Sequence, residues 1–171
     1  MKKEVYGELE SESFLKKTLP TAKSVLVRKP DEAVKEVKKI GYPCILKLLS
    51  PDVVHKTEFN AIRLVHGEED LKKEFEALLV LAKKRKLKLS GILIQEFVKG
   101  VETIIGLKRD PTFGHVVLFG LGGIFVEITK DVAFRVCPVD IVEAERMIEE
   151  LRAKRMLFGF RNEKFVNITA L

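Results

Sequence analysis

The segment Ser50-Pro51-Asp52-Val53-Val54-His55-Lys56-Thr57-Glu58 sets one of the chain's three histidines just past the apolar run 41–49. A neutral imidazole nitrogen is nucleophilic near pH 7 and can accept a group and hand it on. Spacing alone leaves two readings for His55: a solvated loop residue, or a group that does chemistry. Just upstream, Lys47 shares one face of "CILKLL" with Ile45 and Leu49, because side chains alternate along a strand. An ammonium buried without a partner is costly. Lys47 therefore either snorkels its head past its neighbours or meets an anion, such as a phosphate.

Two carboxylates raise a similar question. In "GILIQEFVKGVETIIG", residues 91–106, Ile92, Ile94, Glu96 and Val98 share a face, so Glu96 interrupts an apolar stripe. Glu102 opens the next strand. Carboxylates so placed can hold a sugar hydroxyl, an adenine amino group or a metal; pairing with a lysine is the alternative. The stretch "FGLGGIFVE", 119–127, is a glycine-rich turn, but Phe125 stands where the third glycine of a GxGxxG fingerprint would be. It also lacks the lysine ending of a P-loop. A tight bend needing positive φ explains it, and so does close approach of backbone to a ligand.

The elements that must position these groups read from periodicity. Helices are expected over 30–40, with Asp31 and Glu32 in the first turn and Gly41 as the stop, over 67–86, and from Asp140 to Leu151. A short helix is expected within "ESFLKKTLP", 12–20. Strands are expected at 23–27, 44–49, 61–65, 91–98, 102–109, 115–119, 124–128 and 132–137, with a glycine turn at 120–123. Strand and helix alternate in the first half, and short strands dominate the second. That change of rhythm implies an α+β fold in two lobes that meet near 98–101.

Composition excludes several classes. The chain is 46% hydrophobic and 33% charged, which describes a globular protein and not a disordered one. Its apolar runs are too short to span a membrane, and its N-terminus lacks a signal-peptide core; a cytoplasmic location is expected. Cys44 and Cys137 sit in apolar strands and read as small core residues. Abundant Lys, Arg and Glu with scarce Gln suits a thermophile. The net charge is +6, and "KKRKLK", 83–88, reads as the solvated end of a helix. Neither a basic face interleaved with aromatics nor a nucleic-acid-binding module is visible.

Together, "GYPCILKLLSPDVVHKTE", "ILIQEFVKGVETIIGLKRDPTFG" and "VVLFGLGGIFVEITKDVAFRVCPV" resemble the ATP-grasp β subunit of ADP-forming acetyl-CoA synthetases, nucleoside-diphosphate-forming acyl-CoA ligases found notably in archaea. The resemblance covers roughly 12–171. It implies an ATP-grasp domain over 1–171, with a first lobe at 22–98 and a shortened second lobe at 99–171, each built on a mainly antiparallel sheet with flanking helices. It implies a reaction in which acyl-CoA, ADP and phosphate give acid, CoA and ATP. A CoA-binding α subunit is the expected partner, and ATP/ADP with Mg2+ the expected cofactors; neither nucleic acid nor membrane is expected. By the same resemblance His55 relays a phosphoryl group between α and ADP, and Lys47 contacts nucleotide phosphates. Gln95, Glu96, Phe97 and Val98 form the inter-lobe hinge against adenine, and Glu102 contacts ribose.

Three departures matter. Asn60 and Ala61 stand where the family usually has two glycines, and His115 where a proline is common; His115 is read as a surface turn residue. The sequence given ends at "FVNITAL" without matching the family's acidic "DINP"-like strand, so the metal ligands are unknown. A non-catalytic remnant that binds nucleotide or a partner is therefore the alternative. Apolar surface on a shortened lobe would also favour self-association.

Overall fold

The computed structural model describes residues 6–52, 60–123, 130–159 and 166–168. The chain divides into two compact units, Met1–Val98 and Lys99–Leu171. In the first unit the order is α1 (Glu8–Leu15), β1 (Ser24–Val27), α2 (Pro30–Ile40), β2 (Cys44–Leu49), β3 (Ile62–Val65), α3 (Glu68–Lys84) and β4 (Gly91–Glu96). The strands form one antiparallel sheet in the order β1-β4-β2-β3.

Local chemistry accounts for the helix ends. Pro30 pre-sets the first turn of α2, and the Glu32 carboxylate accepts the Arg28 N–H at 2.9 Å. At its other end Gly41, at φ +91, donates its N–H to the Val37 carbonyl. Helix α3 begins with Glu68, Glu69 and Asp70, and the Asp70 carboxylate accepts the His66 N–H at 3.0 Å. It ends in the exposed cations of 83–86, as the sequence implied. Its stripe of Leu71, Phe75 and Leu78 meets Leu46 and Leu48 of β2 and Ile92 and Ile94 of β4 in one core. Cys44 also lies in that core, where burial and the Asp70 carboxylate push its thiol up to about 11. Cys137 is only half-buried, and both cysteines are free thiols.

Two element bounds differ from expectation. The first helix starts four residues before the expected 12–20 window, because the Glu10 carboxylate accepts the Gly7 N–H and caps it there. Strand β4 stops at Glu96 rather than 98, because β2 begins only at Cys44, directly after Pro43. Phe97 and Val98 then have no strand to pair with.

The second unit holds β5 (Thr103–Asp110), β6 (Gly114–Leu121), β7 (Val132–Val136), α4 (Ile141–Glu150) and a 3-10 turn (Lys154–Met156). Its sheet is antiparallel in the order β5-β6-β7. The Asp110 carboxylate accepts the N–H groups of Thr112 and Phe113 and shapes the β5–β6 turn. Asp140 caps α4 by accepting the Glu143 N–H at 2.8 Å. Phe119, Leu121 and Ala133 pack with Met147, Ile148 and Leu151 on one face of the sheet. The buried Asp131 carboxylate accepts the Arg152 and Ala153 N–H groups, each at 2.9 Å, and ties the end of α4 to the start of β7. Gly120 is not in the turn expected at 120–123: it is paired inside β6 with Ile104 and Val132. The strand expected at 124–128 lies outside the described residues. Among the described residues, no helix is long and apolar enough to cross a membrane.

Candidate functional site

Register decides where Lys47 points. Leu46 and Leu48 enter the core beneath α2 and α3, so Lys47 stands on the opposite face of the sheet. There it is flanked by Leu93 on β4 and Ile62 on β3. Its stem is thus lined with apolar side chains, and its head meets an anion: Nζ lies 2.8 Å from Oε1 of Glu8. Only 21% of the Lys47 side chain and 24% of the Glu8 side chain remain exposed. Burial lowers the Lys47 ammonium from its ordinary range, and the nearby Glu12 carboxylate partly opposes this. Glu12 follows Glu8 by one helical turn and accepts the Ser24 hydroxyl at 2.6 Å. Its other oxygen, Oε2, is buried without a hydrogen-bond partner among the described residues. The result is a partly dehydrated cation on the sheet face that faces away from α2 and α3, with the acidic helix α1 against it. In such a setting an anion is held more strongly than in bulk water.

Gln95 shares this face, in register with Ser24 on β1 and Ile45 on β2. Glu96 points to the other side. Its Oε2 accepts the Lys23 N–H at 3.1 Å, and its own N–H donates to the Lys23 carbonyl at 2.8 Å. The carboxylate that breaks the apolar stripe is therefore tied to main chain at the start of β1, a partner neither sequence reading contained. Phe97 and Val98 follow with 37% and 67% exposure.

His55 lies outside the described residues, but the chain on either side of 53–59 is anchored. Asp52 accepts the Lys88 N–H at 2.7 Å, and Ser90 donates to the Leu49 carbonyl at 2.8 Å. On the far side Arg63 reaches the carbonyl and the side-chain oxygen of Asn60, and its Nε pairs with Glu74 at 2.9 Å. Asn60 adopts φ +54. That left-handed conformation favours glycine, and asparagine is among the side chains that tolerate it. Asn60 thus adopts a backbone shape that a glycine would supply, while Ala61 is fully buried beside it.

In the second unit Glu102 sits immediately before β5. Its carbonyl accepts the Gly122 N–H at 2.7 Å, which extends the β5–β6 ladder by one step past Thr103–Leu121. Its side chain is exposed, and its carboxylate lies against Gly123. His115 is exposed at the start of β6, with its carbonyl accepting the Cys137 N–H. Among the described residues, no three acidic, histidine or cysteine side chains converge to hold a metal ion, so no magnesium ligand is assigned. The structure therefore groups Lys47, Gln95, Ser24, Glu8 and Glu12 on one sheet face of the first unit, and Glu102 with Gly122 and Gly123 within the second unit. Glu8 and Glu12 were not singled out in the sequence. The signal that could have found them is the one-turn spacing of "ELESE" ahead of a sheet carrying an isolated lysine.

This chain belongs to the ATP-grasp domain family, which matches residues 1–171. Within that class its similarity is to ADP-forming acetate–CoA ligases. It is 41% identical to the β subunit of ADP-forming acetate–CoA ligase II of Pyrococcus furiosus over 169 residues, 96% of this chain and 72% of that one. It is 44% identical to ADP-forming acetate–CoA ligase I of Archaeoglobus fulgidus over 149 residues, 85% of this chain but only 22% of the relative's length. Among solved structures, a Ca. Korarchaeum cryptofilum acetyl-coenzyme A synthetase in complex with coenzyme A and Ca-AMPCP superposes with a TM-score of 0.88 at 40% identity. That match covers 94% of this chain and 72% of the solved one.

Proposed function

We propose that this chain is the nucleotide-binding β component of an ADP-forming acyl-CoA ligase, working with a CoA-binding α subunit. In this reading Lys47 contacts the nucleotide phosphates, the segment Gln95–Val98 lies against adenine, and Glu102 meets the ribose. His55 relays the phosphoryl group. A neutral imidazole nitrogen of His55 attacks the phosphorus held on a histidine of the α subunit; a P–N bond forms as the old one breaks, and the leaving nitrogen keeps the electron pair. A terminal oxygen of ADP then attacks the same phosphorus, releasing His55 and forming ATP. Each step exchanges bonds of similar energy, which suits a reversible relay. The protein's part is positioning and charge neutralisation.

The observation that carries the reading is the state of Lys47: a half-buried ammonium, set among apolar neighbours, that is already engaged with an anionic oxygen at 2.8 Å. The family match over the whole chain supports reading that position as part of a nucleotide site. The test is to incubate the full chain with labelled ATP, Mg2+ and the α subunit. An acid-labile phosphoryl adduct is expected, and His55→Ala should abolish it. A nucleotide-dependent thermal shift with no adduct would leave a nucleotide-binding module without the relay.

A further inference from the structure

We infer that α1 is a displaceable acidic strap across the anion position of Lys47, with the Glu8 carboxylate standing where a phosphate of a nucleoside diphosphate would bind. The inference rests on the reading of Lys47 given above. Helix α1 is tied to the first sheet by charge and hydrogen bonding, not through the core. Oε1 of Glu8 meets Nζ of Lys47 at 2.8 Å, and Oε1 of Glu12 accepts the Ser24 hydroxyl at 2.6 Å. None of its residues is buried, and none joins the core cluster of the first unit. Its amphipathic sense is inverted. Glu8 and Glu12 turn toward the sheet, while Phe14 and Leu15 stand 67% and 42% exposed. A surface helix ordinarily buries its apolar stripe and exposes its charges. A helix of only 8 residues is also marginal without tertiary packing.

The docked position also works against itself. Oε2 of Glu12 is buried with no hydrogen-bond partner among the described residues, and a desolvated carboxylate oxygen without a donor opposes burial. The same carboxylate lies near enough to act on the Lys47 ammonium. One cation therefore faces two carboxylates, and a phosphate brought to Nζ meets their like charge in a half-buried, weakly screened setting. Nucleotide and α1 cannot both hold Lys47 at full strength. A phosphate that takes the ammonium leaves Glu8 without this cation, and α1 loses the ion pair that fixes its first turn. Glu8 thus stabilises the folded chain on its own and opposes the nucleotide.

The experiment measures binding of ADP and of adenosine to the full chain by calorimetry, for wild type, Glu8→Gln, Glu12→Gln and Lys47→Met. Lys47→Met should lose ADP affinity. Glu8→Gln should bind ADP about tenfold more tightly than wild type, the scale of one hydrogen bond to a charged group, even though the substitution lowers the melting temperature. Glu12→Gln, which keeps the Glu8–Lys47 pair, should tighten ADP by a smaller factor, and it carries the test if Glu8→Gln does not fold. Adenosine has no phosphate, so neither glutamate substitution should change its affinity. Hydrogen exchange supplies a second reading: ADP should speed exchange of the amides of Glu8–Leu15 in wild type. If Glu8→Gln and Glu12→Gln weaken ADP binding or leave it unchanged, the carboxylates do not compete with phosphate and the strap is wrong. It is equally wrong if ADP slows exchange in α1 or does not alter it, or if adenosine gains as much as ADP. If Lys47→Met binds ADP as wild type does, the reading of Lys47 falls first, and the strap with it.

Discussion

The four-stranded sheet of the first unit buries Leu46, Leu48, Ile92 and Ile94 beneath α2 and α3, and its other face receives Glu8 and Glu12 from α1. Among the described residues, the three-stranded sheet of the second unit is covered by α4 on one face only. Its other face shows Ile104, Phe134 and Val136 at 38%, 56% and 51% exposure, and Phe134 and Val136 line a cavity of about 540 Å3. Lys47 and Glu102, one in each unit, differ in what surrounds them. Where both faces are occupied, a charged side chain can be held by another: Lys47 by Glu8. In the second unit the exposed Glu102 carboxylate lies against Gly123 instead, with no ion pair to a described residue.

The largest effect that sharpens this contrast is in the cores. Phe75 is fully buried under the first sheet, so Phe75→Ala should cost about 3–5 kcal/mol in urea unfolding. Phe134, on the bare face of the second sheet, is a side chain of the same size and more than half exposed. Phe134→Ala should change stability by no more than about 0.5 kcal/mol. Similar losses at the two positions would mean that the bare face is covered in solution, and the contrast would break.

Next in size is a test of backbone control within the second unit. A Cβ at Gly120 would lie 2.7 Å from Cγ1 of Val132 and 2.8 Å from the Asp131 carbonyl oxygen, so β6 and β7 could not keep their spacing. Gly120→Ala should cost about 1–3 kcal/mol, the usual range for overpacking. At Gly106 the nearest atom would be Cβ of Leu118 at 3.8 Å, an ordinary contact. Gly106→Ala should be close to neutral by the same urea unfolding. If both substitutions are tolerated, the close approach of β7 at Gly120 does not constrain the sheet.

Much of this architecture was legible because its causes are local. Pro30, Asp31 and Gly41 mark the ends of α2, Asp140 announces α4, and the alternation in "CILKLL" gives both β2 and the odd position of Lys47. The partners were not legible, because they lie far along the chain. Glu8 is 39 residues from Lys47, and the Lys23 N–H that Glu96 engages is 73 residues away. A glycine inside a strand also looks the same in sequence as one in a turn. Gly120 was therefore read as part of the turn, although only Gly122 and Gly123 lie beyond β6. His55 was singled out by its position and motif, with no periodicity to point to it.

The smallest expected effects compare the charge pairs of the two units, and pH separates them. Arg135 on β7 pairs with Glu143 and Glu150 of α4, and Arg146 adds to Glu143. The Arg135 guanidinium holds both carboxyls below the usual carboxylate range and is itself raised by them. A carboxyl lowered on folding contributes stability that is present above its unfolded value, roughly 4.3 for glutamate, and is lost as pH falls through the folded value. Lys47 works on the other limb. Its ammonium is also lowered, by burial, so the unfolded chain binds more protons in the window below the ordinary lysine value, and stability rises with pH there. Glu150→Gln should therefore flatten the acid limb of a Tm-against-pH curve, and only at low ionic strength, because exposed pairs are screened by salt. Glu8→Gln, which leaves the half-buried Lys47 ammonium without its anion, should cost about 1–2 kcal/mol near neutral pH and resist salt better. Removing the anion should also deepen the alkaline rise, since an unpaired ammonium in the same place is driven further from its charged form. If the loss in Glu8→Gln vanishes in high salt as that in Glu150→Gln does, then the two pairs are of one kind and α1 does not shelter Lys47 from solvent.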